Sequence, residues 1–249
     1  MLVIWSSASG GSALANPELE GAVQEVFLGS VAFPQEAQEL QVSVGSSWIR
    51  TEEVDLIGPV LVAEWGFTDR LQLEIETPFV IAVPDEGDTT GGLGNAEVGL
   101  MYNAVRSSAL GLAVSGGIVG VVPTASTELV ERGYGAGAQL SAYKLMGPVH
   151  ANLSGEARVE ATTGDEEAAL GLESTLSLLL PLGSIVPVVE VGWEREEESE
   201  LLLSGGLVWL ATEGIELGFA GLATRGEDGT EWGAIANLTW ERNLGGEID

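Results

Sequence analysis

The chain has 249 residues, 45% of them hydrophobic, so it must shield apolar surface and is no disordered acidic tail. Its 38 acidic against 9 basic residues give a formal net charge of −29, which disfavours nucleic acid, anionic lipid surfaces and phosphate-bearing ligands as partners. Cysteine is absent, which excludes disulfide and thiol chemistry, and the longest apolar stretches, such as LSLLLPLGSIVPVVEVGW at 176–193, are broken by Ser, Pro, Gly and Glu, which argues against a spanning helix.

The first fifteen residues, MLVIWSSASGGSALA, read as the back half of a secretory signal peptide: an apolar start, a small-residue stretch, then Ala13-Leu14-Ala15 in the style of a cleavage site. The basic start of such a leader is missing, which a start codon assigned too late would explain; an ordinary frayed terminus is the other reading. Residues 16–38 then form an N-terminal segment on the periplasmic side. Its PELEGAVQEVFLGSVAF (17–33) carries enough Val, Leu and Phe for a short helix or an extended plug at the periplasmic mouth, and a disordered leader is equally compatible.

From 39 to 243 one grammar recurs, about ten alternating residues and then a turn, and it predicts twelve strands. They fall at 39–50, 54–67, 70–83, 94–105, 109–122, 134–146, 149–161, 168–180, 185–195, 200–211, 215–224 and 230–242, with a tail at 244–249. Such strands exceed those of ordinary soluble sheets and suit the roughly 9–11 tilted residues that cross a bilayer. Within LQLEIET, Leu71, Leu73 and Ile75 oppose Gln72, Glu74 and Glu76; in 149–161, Leu153, Ala157 and Val159 oppose Asn152, Glu156, Arg158 and Glu160. A soluble sandwich would alternate as well, with apolar residues inward.

The turns separate the two. Every other connection is very short, at 68–69, 106–108, 147–148, 181–184 and 212–214, whereas the intervening ones include the longer polar segments 84–94 and 123–133. Short turns at one end, longer loops at the other and an even strand count predict an all-β fold: a transmembrane antiparallel up-and-down β-barrel of about twelve strands, both chain ends on the short-turn, periplasmic side. A barrel in lipid must satisfy every backbone N–H and C=O between neighbours and leave no edge, so alternation must run round the whole circumference. Trp65, Phe67, Trp209 and Trp240 then fall near the periplasmic rim and Trp48, Phe79, Trp193 and Trp232 near the other, as two aromatic girdles; good β-formers would also sit in strands without any girdle.

Two segments resemble a known family. AEWGFTDRLQLEIETPFV (63–80) and GGLGNAEVGLMYNAV (91–105) resemble the bacterial outer-membrane barrels assigned as transporters of the meta pathway of phenol degradation, whose members carry a YGLTDRLEL…PY hairpin followed by a GLGD…GLKY strand. The family's two tyrosines are Trp65 and Phe79 here, and Asn95 stands where Asp is common. The layout extends over 34–243, including PQEAQELQVSVG (34–45), but only 63–105 is motif-like, and the chain runs on past Trp240 as ERNLGGEID instead of ending at an aromatic residue. The resemblance implies an exported barrel of a Gram-negative outer membrane that passes small compounds, aromatic ones among them.

Alternation places Glu64, Gln72, Glu74, Glu76, Glu97, Asn103, Gln139, Asn152, Glu156, Arg158, Glu160, Glu173, Glu190, Glu194, Glu216, Asn237 and Glu241 on the lumen side. Rings of carboxylates concentrate cations and repel anions, so an open pore of this kind prefers cations; carboxylates that only hydrate a narrow interior, or an acidity set by a saline habitat, would give the same pattern. Twelve strands lie between the filled eight-stranded barrel and the wide porins of sixteen to eighteen, so any passage is narrow. No cofactor or metal and no catalytic step is expected. His150 is the only histidine, which leaves a hydrolase little to work with; TTGGLGN (89–95) lacks the lysine and helix of a phosphate loop; Asp85, Glu86 and Asp88 read as a solvated loop before a Ca²⁺ site. The expected function is a passive narrow channel for small solutes, aromatic or cationic, with outer-membrane lipid as the other partner. A closed structural barrel and a soluble all-β binding protein are the alternatives.

Overall fold

A computed structural model describes residues 22–23, 26–51, 53–164, 168–196, 199–227 and 229–244, so the leader expected at 1–15, the start of the 16–38 segment and nearly all of the tail lie outside the described residues. Thirteen strands follow one another: β1 (Glu39–Arg50), β2 (Val54–Thr68), β3 (Leu71–Pro84), β4 (Thr90–Leu93), β5 (Ala96–Ser107), β6 (Leu112–Val122), β7 (Gly133–Met146), β8 (Val149–Thr162), β9 (Ala168–Leu179), β10 (Ile185–Arg195), β11 (Ser199–Thr212), β12 (Ile215–Gly226) and β13 (Gly229–Asn243). Twelve of them form a ring in which each pairs antiparallel with its sequence neighbour, and β1 pairs with β13 from Glu39↔Asn243 to Arg50↔Trp232, so the ring is closed. The fold is a membrane-spanning, up-and-down β-barrel, with no helix among the described residues.

The extra strand corrects the expectation of a plain loop at 84–94. β3 pairs with β5 only through Leu71–Glu76, and its far half, Phe79–Ala82, is covered instead by β4. The chain must fold back there because the N–H and C=O groups of a long strand need a partner for their whole length. The connections at the β4 rim are also shorter than an alternation of short turns and long loops suggests: only the connection around β4 and that between β6 and β7 are long, while 51–53, 163–167, 196–198 and 227–228 are brief. At the opposite rim the hairpins are tight. Gly147 (φ 67°) and Gly214 (φ 72°) take the left-handed conformation that such turns demand and that a Cβ would oppose.

The wall is one layer thick, and its outer face is apolar. At mid-height Leu140 is 61% exposed and Ile118 63%, while Ser115 and Ser141, on the same two strands, are buried toward the lumen. No second layer among the described residues covers Ile75, which is 44% exposed, so the apolar side faces out and the polar side faces in, the inverse of a soluble sandwich. All eight aromatics assigned to the rims also point outward, between 38% and 66% exposed. Trp65 and Phe67 lie in contact near the tight-turn rim, ring centroids 4.4 Å apart and planes tilted by 50°, and Trp48 donates Nε1–H to Asp55 at 3.1 Å near the other.

The interior is not empty. Residues 26–38 form no strand and no helix; they run from the tight-turn rim into the lumen, where Gln35 meets Gln72, Ala32 meets Asn103 and Phe27 meets Glu190. Val23 and Val26 close an apolar cluster with Leu179, Val186, Val188 and Val208, which face inward from β9, β10 and β11. Val186 and Val188 interrupt the polar lining because the chain's own valines cover them.

Candidate functional site

The candidate site is the lumen beyond residues 26–33, which form its floor: a cavity of about 630 Å³ whose charged lining is six glutamates and one arginine. The glutamates are Glu64, Glu74, Glu76, Glu97, Glu156 and Glu173, the arginine is Arg158, and Gln72, Gln139 and Asn237 line it too. Period-two geometry puts each on the inner face; the strand register then sets acids directly opposite acids, Glu64↔Glu74, Glu76↔Glu97 and Glu156↔Glu173. Like charges at paired positions oppose sheet formation. Three such pairs in one lumen therefore hold a negative field in place at some expense of stability.

Arg158 is the counterweight. Its guanidinium reaches Glu97 at 2.8 Å, Glu160 at 2.8 Å, Glu173 at 3.0 Å and Glu156 at 3.8 Å. Glu97 lies on β5, three strands away around the ring from β8, and the arginine passes over Gly137, where a Cβ would come 2.8 Å from its own Cβ. One cation thus ties four carboxylates.

Nearer the tight-turn rim the expected lumen residues do something else. Glu64 bridges the side-chain amides of Gln41 and Gln72, and Gln35 donates to Gln41 at 2.7 Å. Asn103, Asn152 and Glu190 are bonded to residues 26–32. Glu216 and Glu241 line a smaller cavity of about 510 Å³ beside Thr212 and Glu213. Glu194 sits at the other end, in register with Glu173 and Glu200. His150 pairs with the Tyr143 hydroxyl, which also accepts the N–H of Ala22. Asp85 is held by Arg50 at 2.8 and 3.0 Å, so its carboxylate serves an ion pair between loop and strand. Ser115, Ser177 and Ser204 also take part in seating the N-terminal segment; their polar inward phase was visible in the strand pattern, but not the partner they meet.

No protein-family model matches the chain, and no curated protein matches it. Among solved structures it is similar to an outer membrane channel from Pseudomonas putida F1, with a TM-score of 0.65 at 12% identity over 85% of this chain and 98% of that one. It is also similar to the NanC porin (TM-score 0.58, 10% identity, 80% of this chain and 98% of that one). A third is the KdgM porin in complex with disordered oligogalacturonate (TM-score 0.55, 9% identity, 80% of this chain and 98% of that one). The likeness is one of fold: a twelve-stranded barrel of the outer-membrane type.

Proposed function

We propose that the chain is an outer-membrane barrel of a Gram-negative bacterium and a narrow passive channel for small solutes, with a preference for those carrying positive charge and with no catalytic step. The observation that carries this is the cavity lined by six glutamates and one arginine inside a closed barrel. Fixed carboxylates in a water-filled passage with low-dielectric walls raise the local cation concentration and exclude anions. The outward aromatics near both rims act as interfacial girdles in this reading, with outer-membrane lipid as the partner of the apolar band between them. The likeness to porins supports a passage for small molecules, while the acidic wall does not suit an anionic chain such as the oligogalacturonate bound by KdgM. The motif resemblance at 63–105 to the phenol-pathway barrels supports an aromatic, or aromatic and cationic, solute.

Purified protein in planar bilayers under a KCl gradient provides the test. The reversal potential should lie toward that of a cation-selective pore, and Glu74→Gln with Glu76→Gln should move it toward zero. A reversal potential unchanged by the double substitution would remove the lumen carboxylates from the mechanism. One observation favours the closed, structural barrel as a second reading: residues 26–35 are bonded to the wall on opposite sides of the lumen, at Gln72 and at Glu190. Liposomes that neither swell in small sugars nor conduct would decide for it.

A further inference from the structure

Residues 26–36 meet the wall mainly through their own backbone. The Glu190 carboxylate accepts the N–H of Phe27 at 3.1 Å on one oxygen and that of Leu28 at 3.3 Å on the other. Asn152 donates to the Ser30 carbonyl at 2.9 Å, Asn103 and Ser115 donate to the Ala32 carbonyl at 3.0 and 2.6 Å, and the Gln72 side-chain oxygen accepts from Gln35 N–H at 2.7 Å. These five wall residues come from β10, β8, β5, β6 and β3, and none is more than 1% exposed. Such buried polar groups are costly unless partnered. Here acceptors and donors are set out where the main chain, bent at 27–29 and at 32, presents N–H and C=O.

The wall is built for this. Ser177 and Ser204 donate to the two oxygens of Glu190 at 2.9 and 2.8 Å, which fixes the carboxylate for its two amide guests. Gly66, in the WGFTDR motif, lets a main chain lie against β2: a Cβ there would stand 1.8 Å from the Glu36 carbonyl oxygen. The side-chain amide oxygens of Asn103 and Asn152 have no hydrogen-bond partner among the described residues, so two buried acceptors remain for further N–H groups. The segment's side chains enter two apolar pockets: Val26 meets Leu179, Val186, Val188 and Val208, and Ala32 and Phe33 meet Ala113, Tyr143 and Leu145.

The geometry points to a peptide-binding site in the lumen: the wall of β3, β5, β6, β8 and β10 holds a bent peptide by its backbone, residues 26–36 are its resident ligand, and short peptides with small or apolar side chains displace them. This deepens the channel proposal by naming a solute class and the event that opens the passage. Binding itself rests on the barrel and needs no ion flow. Recognition through the main chain tolerates varied sequences, as in other sites that satisfy a peptide's backbone groups.

A fluorescein-labelled peptide of residues 26–36, titrated in detergent against the full chain carrying Val23→Asp and Val26→Asp, reads the site by anisotropy. Two carboxylates facing the apolar pocket expel the resident segment and leave the wall unaltered. The peptide should bind saturably, and about tenfold or more tighter than to the wild-type chain, whose own segment competes. N-methylation of its Phe27 and Leu28 amides, which removes both bonds to Glu190, should weaken binding by about tenfold or more. No saturable binding, or equal binding of the N-methylated peptide, overturns the proposal.

A second variant covers the case in which the aspartates prevent folding. A Cβ at Gly29 would lie 2.5 Å from Ser154 Oγ, and the chain has no cysteine, so Gly29→Cys with Ser154→Cys should cross-link on oxidation in the folded barrel and not in urea. A folded barrel that fails to cross-link also overturns the proposal. Peptide binding without conduction would keep the site and discard the channel; conduction without peptide binding would do the reverse.

Discussion

Arg158 shows how a single residue sets the character of the lumen. Its ion pairs with Glu97, Glu160 and Glu173, at 2.8, 2.8 and 3.0 Å, lie in an interior open to water, so they are neither screened as at a free surface nor fully desolvated. Replacing Arg158 by Gln leaves these carboxylates facing one another. The expected result is a loss of about 1–3 kcal/mol, seen as a lower urea midpoint in detergent, together with a stronger cation preference in the reversal potential. A variant that is less stable but unchanged in selectivity would confine Arg158 to holding the wall. Glu190 is the contrasting case: its position inside the barrel is legible from the phase of its strand, but its four bonds, to two backbone amides and two serines, are not. Phe27 and Glu190 are 163 residues apart, and no local pattern reports that distance.

At the scale of the element, the strand is a two-sided object whose sides face different media. On β7, Gln139 lines the cavity and Leu140, the next residue, is 61% exposed at mid-strand. Leu140→Arg should therefore cost about 2–4 kcal/mol in folding into lipid vesicles, as a charge at the bilayer midplane does. Gln139→Arg should cost far less and should lower the cation preference. Equal penalties at the two positions would mean that the outer face does not meet hydrocarbon. The β3–β4 pairing marks where strand-by-strand reading reached its limit. Thr90–Leu93 is a Gly-rich stretch of four residues, too short for alternation to register, and only the edge of β3 that β5 leaves uncovered makes it a strand.

For the whole molecule, closure between β1 and β13 is the decisive contact. A closed ring has no edge and unfolds as a unit, so the protein should require detergent for extraction and should migrate faster on SDS gels unheated than boiled. Protein that remained monodisperse in buffer without detergent would contradict the barrel's outward apolar face. The same closure creates an enclosed lumen, and with it the choice between a filled and an open interior. Residues 26–36 fill the end near the tight turns and leave about 630 Å³ beyond them, so the gap between closed barrel and channel is the width of one segment.

Alternation over strands of 11 to 15 residues by itself determined the class of fold and the side on which Glu74, Glu76 and Glu97 lie, because period two is a local property and lipid outside forces it on every strand. The tertiary structure alone decided which residues meet: the acid pairs, the reach of Arg158 to β5, the short β4 and the path of the N-terminal segment through the lumen. Those contacts join residues up to 163 positions apart, and they exist only once the sheet has curled far enough for its two edges to pair.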